Sequence, residues 1–309
     1  MLSFRRANIL DFAQAYKAFY YVAPLTLFVG KNIFRDKEII KLLNILLTLF
    51  LLKYGYSRAL NLTERMGERP GIFVENNFEL IFLLIIFYIT ESKFTAKDRL
   101  LRTLAVVAIV FLSGSRSALL ALIAMFLFMH IKKLNGKTII SLLTLGLLIA
   151  GTSYIFITRM DGDIQTIDRF RFLQIFLDET KNWEWYEYIL GTLPLTPLSD
   201  YSCKALSAYS ALYSYSGDDS CYSVILHSFI LRVIFDHGIA GLLFIIAFVL
   251  QALKRSGHTP RQRLCIISII LISAASVSAF NSVFTALALA IAFSQQKTHQ
   301  TNDQNQDIT

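Results

Sequence analysis

The chain is short of nearly everything that holds a domain in water. Only 17% of its 309 residues are charged, against 55% hydrophobic ones, and its mean hydropathy is +0.52. That balance excludes an ordinary soluble domain and indicates a polytopic membrane protein. Three cysteines are too few for a disulfide framework. No His-x-x-x-His or Cys-x-x-Cys occurs, and His227 and His237 stand ten residues apart, so metal-ligand spacing is missing and the expected chemistry uses neither metal nor cofactor. No period of ~20–50 residues repeats, which argues against a solenoid or an obvious inverted-repeat transporter. Asp11 and Lys17 interrupt any early apolar core, so a cleavable signal peptide is not expected.

What the chain does have is apolar runs, at about 18–30, 39–54, 77–90, 100–113, 116–131, 138–157, 238–253, 264–281 and 282–293. They predict an all-α integral membrane protein with about 8–9 transmembrane helices, forming one membrane domain over 1–309. Several runs fall below the ~20 residues that cross a bilayer comfortably. Two polar interruptions separate them, a short loop at 55–76 and a large one at 158–237, the latter ending in an interfacial helix over 227–237. Residues 294–309 read as a disordered polar tail.

Charge sets the orientation. The net +8 is no nucleic-acid signature, because the bases lie in short clusters between apolar runs. Lys254, Arg255, Arg261 and Arg263 form one short loop, Lys132, Lys133 and Lys137 another, and Lys93, Lys97, Arg99 and Arg102 dominate a third. All three read as cytoplasmic under the positive-inside rule. Residues 158–223 hold five bases against ten acids.

Arg116 is the only charged residue in the stretch 103–129. A guanidinium there is costly unless it meets water, protein or an anion, which makes it a functional-site candidate. The surrounding Ser113-Gly114-Ser115-Arg116-Ser117 breaks the helical pattern and reads as the tip of a hairpin. Were 103–129 one helix, the 132–137 lysines would fall on the wrong side of the membrane.

On this topology Arg65, Arg69, Arg116, Arg159, Arg169, Arg171 and His227 share the outer face. Clustered arginines suit a pyrophosphate, since the planar fork binds phosphate oxygens bidentately and stays charged. Arg65 and Arg69 can equally pair with neighbouring Glu64 and Glu68, and Arg159 with Asp161 or Asp163. His227, Ile230, Leu231 and Ile234 follow a helical apolar stripe, with Ser228, Arg232 and Asp236 beside it, and Gly238 and Gly241 turn the chain or admit close helix packing. Five tyrosines between Tyr201 and Tyr222, with Trp183 and Trp185, suit sugars or a membrane interface. Cys203 and Cys221 share the large loop and can pair if it lies in an oxidising compartment.

In order, Arg69-Pro-Gly71 with Asn76-Asn77, Leu112-Ser-Gly-Ser-Arg116-Ser-Ala-Leu-Leu, and His227-Ser-Phe-Ile-Leu followed by Asp236-His-Gly238-Ile-Ala-Gly241 resemble the O-antigen ligase and O-antigen polymerase superfamily of bacterial membrane glycosyltransferases. The resemblance covers roughly 40–293. The family usually has Pro-Asn at Asn76-Asn77, His-Asn at His227-Ser228 and a Glu near Asp236. The resemblance implies a multi-pass protein of the bacterial inner membrane, active at its periplasmic face. Its donor would be a polyprenyl-pyrophosphate-linked glycan and its acceptor a glycan or lipid A core, with membrane lipids and other polysaccharide-assembly proteins as further partners and no nucleic acid. It further implies His227 as base, Arg116 with Arg69 and Arg169 or Arg171 on the pyrophosphate, and Asn77, Ser228, Asp236 and Gly238 in support. Polymerisation of repeat units, ligation of finished glycan to lipid A core or protein, and transport of the same lipid are the functions to separate.

Overall fold

The computed structural model describes residues 8–60, 72, 76–130 and 168–294, and among them every regular element is a helix, apart from one isolated bridge between Pro197 and Tyr222. Helices α1 (Ile9–Ala15) and α2 (Lys17–Val22) are followed by a 3-10 stretch (Ala23–Phe28) and α3 (Asp36–Ala59). Helices α4 (Asn76–Thr90), α5 (Ala96–Ser113) and α6 (Arg116–His130) complete the first half. The large loop carries α7 (Asp168–Thr180), α8 (Trp185–Leu190) and α9 (Asp200–Ala205), and then come α10 (Phe229–Arg255), α11 (Pro260–Ala274) and α12 (Val283–Phe293).

Several expected boundaries move. Two helices, Asp36–Ala59 with 24 residues and Phe229–Arg255 with 27, are long and apolar enough to cross a membrane, so the described residues do not supply eight or nine helices of that length. The run at 18–30 is not one helix, because Pro24 lacks an N–H and a 3-10 stretch replaces the α-helix there. The run at 264–281 stops as a helix at Ala274 and turns through Ala279–Asn281. The short loop begins after Ala59 rather than at Gly55, which is helical. The run at 138–157, most of the 55–76 loop and nearly all of the 294–309 tail lie outside the described residues.

Helix α4 is the centre of the bundle. Every residue from Glu79 to Phe87 is buried, and the helix packs against α3, α5, α6, α11 and α12. A helix that is apolar all round is stable only when enclosed in this way. One hydrophobic core joins it to α3, α5, α6 and α10 to α12. A second, smaller core belongs to the large loop, where Phe172, Ile175, Leu206 and Ile225 gather with Phe235 of α10.

The helix ends sort into two sets. At one end Asp36 pairs with Lys93, Arg102 Nε donates to Asn44 Oδ1 at 2.9 Å, and Gly30 N and Ser256 Oγ both donate to the Phe293 carbonyl at 3.0 and 2.6 Å. The basic loops at 93–102 and 254–263 therefore share this end. At the other, the α5–α6 turn meets the start of α4, and Ser228 at the start of α10 donates to the Ala274 carbonyl at the end of α11 at 3.2 Å. Phe284, near the start of α12, meets Phe82 of α4 with ring centroids 6.5 Å apart.

Gly238 interrupts α10 with φ 64° and ψ −171°, a conformation open essentially to glycine alone. The chain bends there to admit the turn after α8. A Cβ on Gly238 would lie 2.1 Å from the Ile189 carbonyl oxygen, and one on Gly191 would lie 2.5 Å from the His237 amide nitrogen. Two backbones thus cross with no side chain between them. Thr192 completes the joint by donating its N–H and its hydroxyl to the Phe235 carbonyl, at 2.8 and 3.0 Å.

Gly238→Ala is expected to cost on the order of 3 kcal/mol or more, combining backbone strain with a backbone clash. In detergent-purified protein this should appear as a lowered Tm together with faster protease cleavage between α7 and α9. Gly55→Ala, with nothing within 4 Å of the added carbon and a helical backbone that alanine favours, should neither lower the Tm nor speed cleavage.

Candidate functional site

The hairpin around Arg116 is built from its small residues. Gly114 closes α5 in the left-handed conformation at φ 64°, with its N–H on the Phe111 carbonyl. Ser115 opens α6 as its cap, accepting from Ala118 N at 3.2 Å, while its own N–H donates to Ser113 Oγ at 3.0 Å. These bonds satisfy groups that helix ends otherwise leave unpaired. Arg58 Nε donates to the Leu112 carbonyl at 2.9 Å, which ties the end of α3 to the same tip.

Asn77 fastens this tip to α4. Its Oδ1 accepts from Ser115 Oγ at 2.5 Å and from Ser117 Oγ at 3.4 Å, and all three side chains are buried. Arg116, between the two serines, is exposed. Two residues further, the fully buried Glu79 accepts from the Ile72 N–H at 2.9 Å and from the Tyr54 hydroxyl at 3.4 Å.

His227 lies at the same end but off the helix expected to carry it. It precedes α10, which starts at Phe229, and takes φ 54° at the close of a 3-10 turn (Ser223–Leu226). The cause is local: Ser228 is the N-cap, its hydroxyl accepting from Leu231 N at 3.4 Å, so the helix begins at Phe229, two residues past the histidine. The half-buried imidazole packs against Phe172 and Tyr209, with centroids 5.2 and 6.0 Å away, and its carbonyl accepts from Ser278 Oγ at 2.9 Å. Phe172 belongs to α7, which also carries Arg169 and Arg171. Arg169 is half-buried, whereas Arg171 is exposed and donates to the Ala205 carbonyl, tying α7 to α9.

The structure thus collects the expected residues into two groups at one end of the bundle: Asn77 and Arg116 at the hairpin, and His227, Ser228, Arg169 and Arg171 around the large loop. Arg65, Arg69 and Arg159 lie outside the described residues. Asp236 belongs to neither group and works as a brace. Its Oδ2 accepts from Ser223 Oγ at 2.9 Å and faces Arg232 Nε at 3.8 Å, and Oδ1 has no partner among the described residues. Both charges are buried, and removing one partner of such a pair strands the other. Gly238 is likewise the bend described above.

Sequence reading passed over the N-terminal helix. Arg232 donates to the carbonyls of Gln14 and Ala15 at 2.6 and 2.9 Å, closing the end of α1. Asp11 is buried and accepts from Ser214 Oγ at 2.7 Å and from Tyr215 N at 3.1 Å, while Gln14 Nε2 donates to the Tyr215 hydroxyl at 2.8 Å. The i,i+4 spacing of Arg232 and Asp236 was a visible signal; nothing local marks Asp11 as the partner of a turn some two hundred residues away. The 213–216 turn is held from behind by the Cys203–Cys221 disulfide, with Cα atoms 5.7 Å apart. Cys265 is buried and reduced. Among the described residues no group of three or more His, Cys, Asp or Glu is placed to hold a metal ion.

Replacing Cys203 and Cys221 together by serine should cost about 3 kcal/mol through loop entropy. The expected result is a lower Tm and faster proteolysis within 207–216, measured on protein in detergent. Comparison with known proteins gives no match to the chain, whether by family model, by characterised sequence or by solved structure.

Proposed function

We propose that the chain is a membrane glycosyltransferase that polymerises polyprenyl-pyrophosphate-linked oligosaccharide repeat units, for O-antigen, capsule or exopolysaccharide, at the periplasmic face of a bacterial inner membrane. The observation that carries the reading is the segregation of the two ends. The basic loops at 93–102 and 254–263 lie at one, as cytoplasmic loops should. Arg116, Arg169, Arg171 and His227 lie at the other, where a lipid-linked anion would present its headgroup. The ordered sequence resemblance supports the same assignment. So does a cavity of about 850 Å³ between the N-terminal segments and α10, lined by Phe19, Val22, Phe229, His237 and Phe244 among others. It is apolar enough for a hydrocarbon chain. Two helices have the length and composition to cross the bilayer, and of the shorter ones α4 has its middle enclosed by the others.

In this reading the acceptor hydroxyl attacks the anomeric carbon of the donor. The bond from that carbon to the pyrophosphate oxygen breaks, and the electron pair leaves with the lipid pyrophosphate. Arg116 stabilises the charge building on the departing oxygen, with Arg169 or Arg171 and Arg69 completing the anion site. His227, held between Phe172 and Tyr209, orients the acceptor and takes its proton. Because pyrophosphate leaves readily, the arginines carry more of the rate than the base.

Arg116→Ala should lower polymer formation about 100- to 1,000-fold, the scale of losing one preorganised charge-stabilising donor, with expression and membrane insertion retained. Arg116→Lys should recover little, since an ammonium cannot form the bidentate fork. Near-normal activity in both variants would remove Arg116 from the mechanism. A deletion strain separates acceptors: single-repeat lipopolysaccharide indicates lost polymerisation, whereas accumulated long lipid-linked chains indicate lost ligation. Liposomes that translocate the lipid without new glycosidic bonds would favour a transporter.

A further inference from the structure

Helix α8 and the residues just after it present an apolar surface that is exposed among the described residues. Trp185 is 73% exposed and Leu190 59%, and Tyr186, Ile189 and Leu193 are exposed beside them. At about 100° per residue, Trp185, Ile189, Tyr186 and Leu190 occupy one arc of roughly 140°. The two remaining residues make contacts within the loop, although Tyr188 is also 42% exposed. Glu187 turns back to accept from Glu184 N at 2.8 Å, and Tyr188 packs on Trp183, centroids 5.4 Å apart, with its hydroxyl on the Thr180 carbonyl at 2.9 Å.

This face is held in a fixed place. The glycine crossing described above presses the backbone of Ile189 and Leu190 onto Gly238. Directly beyond that glycine, the long apolar segment of α10 begins with Ile239, Leu243 and Phe244 all exposed, the last by 74%. The exposed surface of α8 is therefore continuous with the exposed surface of one of the two helices long enough to cross a membrane. Tryptophan and tyrosine mixed with aliphatic side chains are the composition that settles at the headgroup level of a bilayer, where the rings are apolar and the N–H and O–H remain wet.

We infer that α8 with Leu193 is a bilayer-seated foot: it rests in the headgroup region of the outer leaflet and fixes the height of the large loop, with its His227, above the lipid. The inference rests on the membrane reading given above but not on the transferase assignment. The occupant is lipid, and the acidic Glu184 and Glu187 favour a neutral or zwitterionic headgroup over an anionic one.

Only two tryptophans occur, so Trp183→Phe leaves Trp185 as the sole indole. The full-length variant would be reconstituted into phosphatidylcholine vesicles carrying bromine either near the headgroup end or near the methyl end of the acyl chains. Seating at the interface predicts roughly a twofold loss of Trp185 emission with the shallow bromine, a smaller loss with the deep one, and protection from acrylamide, as for an indole held at headgroup level. Should Trp183→Phe fail to fold, the difference between wild-type protein and Trp185→Phe gives the same readout. Full acrylamide access with no bromine quenching, in protein that resists carbonate extraction, would overturn the foot and leave the membrane reading standing; this surface would then await a protein partner or none. Protein that washes off the vesicles would overturn the membrane reading and the foot with it.

Discussion

A helix wrapped by protein on every side has no water to take up its polar groups, and α4 is wrapped in this way. The buried polar side chains near its start, Asn77 and Glu79, must find partners in the protein or be lost as stabilising residues. They find the Ser115 and Ser117 hydroxyls, the Ile72 N–H and the Tyr54 hydroxyl. This requirement fixes the α5–α6 turn against the start of α4. With the tip placed, the antiparallel run of α5 and α6 follows, and the basic 93–102 loop is sent to the opposite end. Arg116, flanked by two buried serines, can then only project outward.

The large loop meets a different constraint, since its own core is too small to hold it rigid. It is fastened at separated points: the Cys203–Cys221 disulfide, the Gly191–Gly238 crossing, the Ser278 bond to the His227 carbonyl, and the grip of α1 on Ser214 and Tyr215. These fastenings account for the backbone of His227. A non-glycine residue at φ 54° carries strain of order 1–3 kcal/mol and persists only where its surroundings over-determine it. Phe172 and Tyr209, which pack on the imidazole, both come from the fastened loop, so the loop helps to set the direction of the ring.

How far the sequence reveals this depends on whether the signal is local. The 113–117 hairpin was legible because a glycine between serines breaks a long apolar run, and those same residues supply the left-handed turn and the cap. The pairing of Cys203 with Cys221 was legible from their shared segment. Helix continuity was not, because hydropathy counts apolar residues and is blind to Pro24 and to the turn after Ala274. Periodicity alone places His227 on α10, because an apolar stripe carries no mark of where the helix begins, and the Ser228 cap sets that start. The contacts of Asp11 and the backbone crossing at Gly191 depend on residues distant in the chain, and no local pattern encodes them.

Length and burial together explain why the apolar helices differ so much. The two long enough to cross a bilayer, α3 and α10, have only 33% and 22% of their apolar windows buried in the protein. Helix α4 has 15 residues and a fully enclosed middle. At 1.5 Å per residue it rises about 22 Å, short of the ~30 Å of hydrocarbon. The contrast follows from what each helix touches. A helix facing lipid must match the bilayer, because an unpaired backbone group in hydrocarbon costs several kcal/mol. An enclosed helix answers only to its neighbours and can end wherever they supply partners, as Asn77 and Glu79 show.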